Sequence, residues 1–129
     1  MKRVLIDTNV LLAALIFPNG IAAQAFWKVL SDDHVVLTQW IIDEAHAVVT
    51  RKWPDRLESL ERFIFSLEYD IIDSLPSGVT IRDSKDQPIL DAAITGKVDI
   101  VLTGDKDFGS LTLTHPLILS PRAYLDSTS

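Results

Sequence analysis

The chain has 129 residues, 47% of them hydrophobic, and 12 Lys and Arg against 18 Asp and Glu give a net charge of -6. That length and balance indicate one folded domain over residues 1–129 and exclude a disordered chain. The absence of cysteine excludes disulfides and thiolate metal sites, and the acidic balance disfavours nucleic acid as a partner unless carboxylates gather around metal ions.

In chain order, Arg3–Ile6 predicts a short buried strand, and Thr8 an N-cap for a helix reaching about Ile16. Pro18-Asn19-Gly20 is a turn signal. Ile21–Leu30 has helical spacing and is stopped by Ser31-Asp32-Asp33. His34–Thr38 predicts a strand, Gln39–Lys52 a helix ended by Trp53-Pro54, and Asp55–Tyr69 a further helix with a capping-box-like Asp55 and Glu58. Asp70–Asp73 reads as a brief strand or irregular, and Leu75–Ile81 as a loop ending in a strand. Lys85–Thr95 predicts a helix closed by Gly96 at C′. Asp99–Thr103 and Pro116–Leu119 predict strands, Asp105–Leu111 a turn with room for one helical turn, and Pro121–Leu125 a last short helix. Strands alternating with helices imply an α/β fold, a mostly parallel sheet covered by helices on both faces.

No apolar stretch reaches the length of about 18 residues expected of a membrane helix, because Asp7, Pro18 and Asp43-Glu44 interrupt them. Met1-Lys2-Arg3 superficially resembles a signal peptide, but Asp7 breaks the apolar region and no cleavage site follows. A cytoplasmic protein with no membrane partner is expected.

A carboxylate inside "RVLIDTNVLLAAL" is costly to bury without a partner. In an open parallel sheet, ligands bind beyond the carboxyl ends of the strands. Asp7 directly follows the first strand and Asp105 comes two residues after "DIVLT", so both belong to one sheet edge. If those strands are neighbours where the strand order reverses, the two acids face one crevice. On the helix Gln39–Lys52, Glu44 falls at or inside the apolar stripe and His46 on the opposite face. Proline is tolerated only in a first helical turn, so Pro88 puts Asp86 at a helix N-terminus, where the dipole favours a carboxylate; Asp91 faces solvent. Asp7, Glu44, Asp86 and Asp105 therefore converge, with Asp107 nearby. Like charges this close need compensation, and an all-oxygen set suits Mg²⁺ or Mn²⁺.

Each acid also has a plain structural role open to it, as a cap, an ion-pair partner or a turn residue; four such coincidences at one edge are far less common than one. Asp43, Asp83, Asp91 and Asp99 read as surface or capping residues. His34, His46 and His115 lack metal spacing, Trp27, Trp40 and Trp53 read as core or interface, and Arg51, Lys52, Arg56, Arg82, Lys85 and Lys106 are weak candidates for phosphate contacts.

"LIDTNVLL", Glu44 in "IIDEAHAVV", "RDSKDQPILDAA" and "DIVLTGDKDF" followed by "LILSPRAYL" resemble the PIN-domain family, in order and over nearly the whole chain. The resemblance is nearest to the short stand-alone prokaryotic VapC-like toxins of toxin–antitoxin pairs. It implies a three-layer α/β/α sandwich and an Mg²⁺- or Mn²⁺-dependent endoribonuclease. Metal ligands carry over onto Asp7, Glu44, Asp86 and Asp105, with Thr8, Asn9 and Thr103 as supporting polar residues. Asp105 and Asp107 remain alternatives for the fourth ligand. A homodimer and a small antitoxin partner are likewise implied. In such a site one or two ions hold a phosphodiester oxygen and lower the pKa of an attacking water.

Two other readings compete. A receiver or haloacid-dehalogenase-like phosphoryl-transfer site fits poorly, because Asp7 is followed by Thr8 and Asn9 and no lysine follows "PLILS". A non-catalytic RNA- or protein-binding scaffold would show a broken acidic set, and all four positions here are acidic.

Overall fold

The computed structural model describes residues 1–109, 111 and 113–127; the side chain of Asp107 lies outside the described residues. In chain order the elements are β1 (Arg3–Ile6), α1 (Thr8–Ile16), α2 (Ile21–Asp32), β2 (His34–Thr38), α3 (Gln39–Lys52), a 3₁₀ turn (Pro54–Arg56) and α4 (Leu57–Ser66). Then follow β3 (Asp70–Ile72), α5 (Gln87–Thr95), β4 (Ile100–Leu102), α6 (Lys106–Gly109), β5 (Leu117–Leu119) and α7 (Pro121–Ser127). The strands form one sheet in the order β3-β2-β1-β4-β5, and every pairing is parallel. Helices cover both faces, giving the three-layer α/β/α arrangement expected of the alternating pattern.

The central strands are buried because, after Arg3 at the start of β1, their residues are all apolar. Val4, Leu5 and Ile6 of β1 and Ile100, Val101 and Leu102 of β4 are all buried, sandwiched between helices. Val4 pairs with Ile100, Leu5 with Val101 and Ile6 with Leu102. Strand order reverses at β1: β2 lies on one side and β4 on the other. The β1–β4 junction is therefore the topological switch point, and its carboxyl end is the crevice of the fold.

Several local expectations are corrected. Thr8 is not a cap but the first residue of α1; Asp7 takes the N-cap position, where its backbone carbonyl accepts from Val10 and Leu11 at 3.0 and 3.1 Å. Asp55 and Glu58 form no capping box, since Pro54–Arg56 makes a 3₁₀ turn and Glu58 instead pairs with Arg62 one helical turn on. Gly96 is not a left-handed C′ residue: its φ is -82°, and Lys97 takes the left-handed conformation at 52°. Glycine is needed at position 96 for space, because a Cβ there would stand 2.7 Å from both the Ala92 carbonyl oxygen and Ile72 Cδ1. The segment 73–81 makes no strand. Asp91, expected in solvent, is half-buried under that segment and accepts from Ser77 N, Ser77 Oγ and Gln87 Nε2. Among the described residues, no single helix is long and apolar enough to cross a membrane.

Candidate functional site

The site is assembled from four chain segments at the carboxyl edge of the sheet. β1 delivers Asp7, which is only 3% exposed. Its backbone N–H donates to the Leu102 carbonyl at 3.0 Å, continuing the β1–β4 ladder one residue past the strand. Its side chain makes no cap bond to α1. Instead Oδ2 accepts a 2.7 Å bond from the Thr103 hydroxyl, just past β4. The same hydroxyl oxygen accepts from Asp105 N at 3.0 Å, so Thr103 ties the first acid to the backbone of the last. Thr103 is itself buried, and its hydroxyl has one donor proton, spent on Asp7.

α5 delivers Asp86 at its N-cap, with Pro88 in the first turn as the sequence requires. Asp86 is 7% exposed, and its Oδ2 is buried with no hydrogen-bond partner among the described residues. An unpaired buried carboxylate oxygen is costly and marks either a protonated acid or a place for a ligand. The Thr8 hydroxyl, beside Asp7, is a second buried polar atom without a partner among the described residues. α3 brings Glu44 to the same region. It is half-buried, and its charge acts on Asp7. The helix is anchored there by Thr38, whose Oγ1 accepts from Ile41 N at 3.1 Å as a buried N-cap. Asp105, after β4, is half-buried.

Asp83, expected as a surface or capping residue, joins them and also caps its turn by accepting from Lys85 N. Candidate ligand oxygens of Asp83, Asp86 and Asp105 all lie within 4.8 Å of one another. The turn that does this is short: Asp86 N donates to the Asp83 carbonyl at 3.0 Å, doubling the chain back so that the two side chains meet. Asp7 and Glu44 lie outside this tight triad but within range of its field. Burial pushes the Asp7 carboxyl above the usual range; the Thr103 bond opposes this, and the charges of Asp105 and Glu44 add to it. Asp86 is pushed up to about 8, first by burial, then by the Asp105 carboxylate against it, with Asp7 and Asp83 contributing. Five acids thus act on one another, two of them buried. Oxygen-only donors, mutual repulsion and the orphaned Asp86 oxygen fit a hard divalent cation.

The supporting residues divide. Thr103 and Thr8 are buried at the site. Asn9 is exposed and borders a small cavity between α1 and α3, together with Lys52 and Trp53. No side-chain position is described for Asp107. The nearest signal for Asp83 in the sequence was the doubling of acids in "RDSKD", three residues apart in a polar segment before a helix.

A parallel sheet with carboxylates gathered beyond its switch point defines a class of α/β domain in which the crevice, not the helical faces, holds the chemistry. The chain matches the PIN domain family over residues 3–107 and belongs to it. A comparison with curated proteins returns no match. Among solved structures it is similar to a chain of the crystal structure of VapBC2 from Rickettsia felis bound to a DNA fragment from their promoter. The TM-score is 0.69 at 14% identity, covering 92% of this chain and 98% of that one. That similarity establishes a shared fold.

Proposed function

We propose that this PIN domain is a divalent-metal-dependent endoribonuclease, the toxin component of a toxin–antitoxin pair, hydrolysing RNA phosphodiester bonds in the cytoplasm. The observation that carries the reading is the convergence of Asp7, Asp86 and Asp105 at the switch point, with one buried Asp86 oxygen left unpaired. Asp7, Glu44, Asp86 and Asp105 would hold Mg²⁺ or Mn²⁺, and the family match and the VapBC2-like fold support the class of activity.

When bound, the ion offsets the carboxylates' repulsion and stabilises charge developing on the phosphate. The chain's own residues do the rest. Thr103 fixes Asp7 in one rotamer through its 2.7 Å bond. Asp86, whose carboxyl is pushed up to about 8, gives up its proton as the cation enters. Glu44 is half-buried and reaches the crevice from α3, where it orients the attacking water. Lys85 and Lys106 are exposed beside Asp86 and Asp105 in the chain and attract the RNA backbone to an otherwise acidic surface. A homodimer and an antitoxin that covers the crevice complete the proposal.

The test is cleavage of an RNA pool by purified protein with Mn²⁺, with EDTA, and with Asp7→Asn. Metal-dependent cleavage lost in the variant supports the reading. RNA bound but left intact under every condition favours the non-catalytic scaffold instead.

A further inference from the structure

We infer that Asp83 supplies a further carboxylate to the divalent-cation site, which makes the segment before α5 a two-acid ligand loop rather than a connection. The inference rests on the nuclease reading only in that both place a cation among these acids.

Two independent observations carry it. The first is position: a carboxylate oxygen of Asp83 lies within 4.8 Å of oxygens of both Asp86 and Asp105, a set from which Asp7 and Glu44 are absent. The second is the buried Asp86, 7% exposed, whose Oδ2 has no hydrogen-bond partner among the described residues. Without a cation, placing a third carboxylate there only worsens the repulsion at Asp86. With a cation shared among the three, it completes an oxygen cage. Asp83 has a structural task too: its Oδ1 accepts from Lys85 N at 3.0 Å and fixes the turn. The turn bond orients the Asp83 side chain, one oxygen of which lies among the acids. Asp83 is half-buried where Asp86 is buried, so it is the more solvent-accessible of these two acids.

The substitution Asp83→Asn separates the two tasks, because asparagine keeps an oxygen for Lys85 N but loses the charge. Mn²⁺ binding is followed by the free-ion electron paramagnetic resonance signal for wild type, Asp83→Asn and Asp86→Asn, with urea unfolding in EDTA as the check on folding. The expected result is a dissociation constant for Mn²⁺ raised about tenfold or more in Asp83→Asn, with an unfolding midpoint in EDTA unchanged or higher. If wild type binds Mn²⁺, Asp86→Asn weakens it and Asp83→Asn matches wild type, Asp83 is only a turn residue and this inference falls alone. If wild type binds no Mn²⁺, the metal-dependent reading falls with it. Should Asp83→Asn unfold, Asp83→Glu, which keeps the charge, must retain tighter Mn²⁺ binding than a folded Asp83→Ser.

Discussion

Replacing Asp86 by asparagine should make the metal-free protein more stable and its metal-bound form less so. Two unit charges 4.8 Å apart, the outer limit for the Asp83–Asp86–Asp105 oxygens, repel by about 3 to 4 kcal/mol at an effective dielectric of about 20. Asp86 takes part in two such pairs, and the folded protein relieves them by keeping a proton on it, with the carboxyl pushed up to about 8. Holding a proton that far above the ordinary carboxyl range costs about 1.4 kcal/mol per pH unit, or about 4 kcal/mol near neutrality. Asp83 and Asp105 are half-exposed and can relax, so a gain of about 2 to 3 kcal/mol is expected for Asp86→Asn in EDTA near neutral pH. The sign in pH follows. Between the ordinary value of 3.8 and about 8 the folded state binds the extra proton. This group's contribution therefore lowers wild-type stability as pH rises through that window and levels off above it. Urea unfolding of both proteins in EDTA across the window should show wild type falling below the variant as pH rises. Adding Mn²⁺ should then raise wild type far more than Asp86→Asn. A variant less stable than wild type in EDTA at about pH 7.5, with the same pH slope, would refute the reasoning.

Three further outcomes are expected. Thr103→Val removes the hydroxyl that bonds Asp7 and receives Asp105 N; it should cost about 1 to 3 kcal/mol, and Mn²⁺ titration should show weaker binding. Gly96→Ala should destabilise by about 1 to 3 kcal/mol through overpacking, and adding Ile72→Val, which deletes the Cδ1 that stands 2.7 Å from the new Cβ, should recover part of the loss in thermal denaturation. Asp91→Ala breaks three hydrogen bonds to Ser77 and Gln87; limited proteolysis should then cut within 73–81 sooner than in wild type while RNA cleavage persists.

Much of this architecture was legible because the central strands carry no alternation to misread. Val4–Ile6 and Ile100–Leu102 are continuous apolar runs, and such runs bounded by polar residues indicate buried parallel strands. The meeting of Asp7 and Asp105 followed from one topological rule about strand ends, and the β1–β4 pairing supplies the neighbour relation that rule requires. Helical angles placed Glu44 and Asp86 on inward faces for the same reason: periodicity is visible along a chain. Asp83 escaped because it sits in a segment with no period, and only the turn from its carbonyl to Asp86 N puts it beside Asp86 and Asp105. Asp91 was assigned to solvent by its angle on α5, but a helix angle cannot show that 73–81 folds over that face. Gly96 was assigned to a left-handed cap by residue type, whereas its requirement comes from Ile72, distant in sequence. What the chain hides is contact between aperiodic segments.

The central claim is that buried acids at the switch point, led by Asp7, cut RNA with a divalent ion. The most direct measurement is transcriptome-wide sequencing of RNA 5′ ends after induction of wild type and of Asp7→Asn at equal protein levels. A set of new ends with wild type that vanishes in the variant is the predicted result, and the same new ends with both proteins would contradict the account.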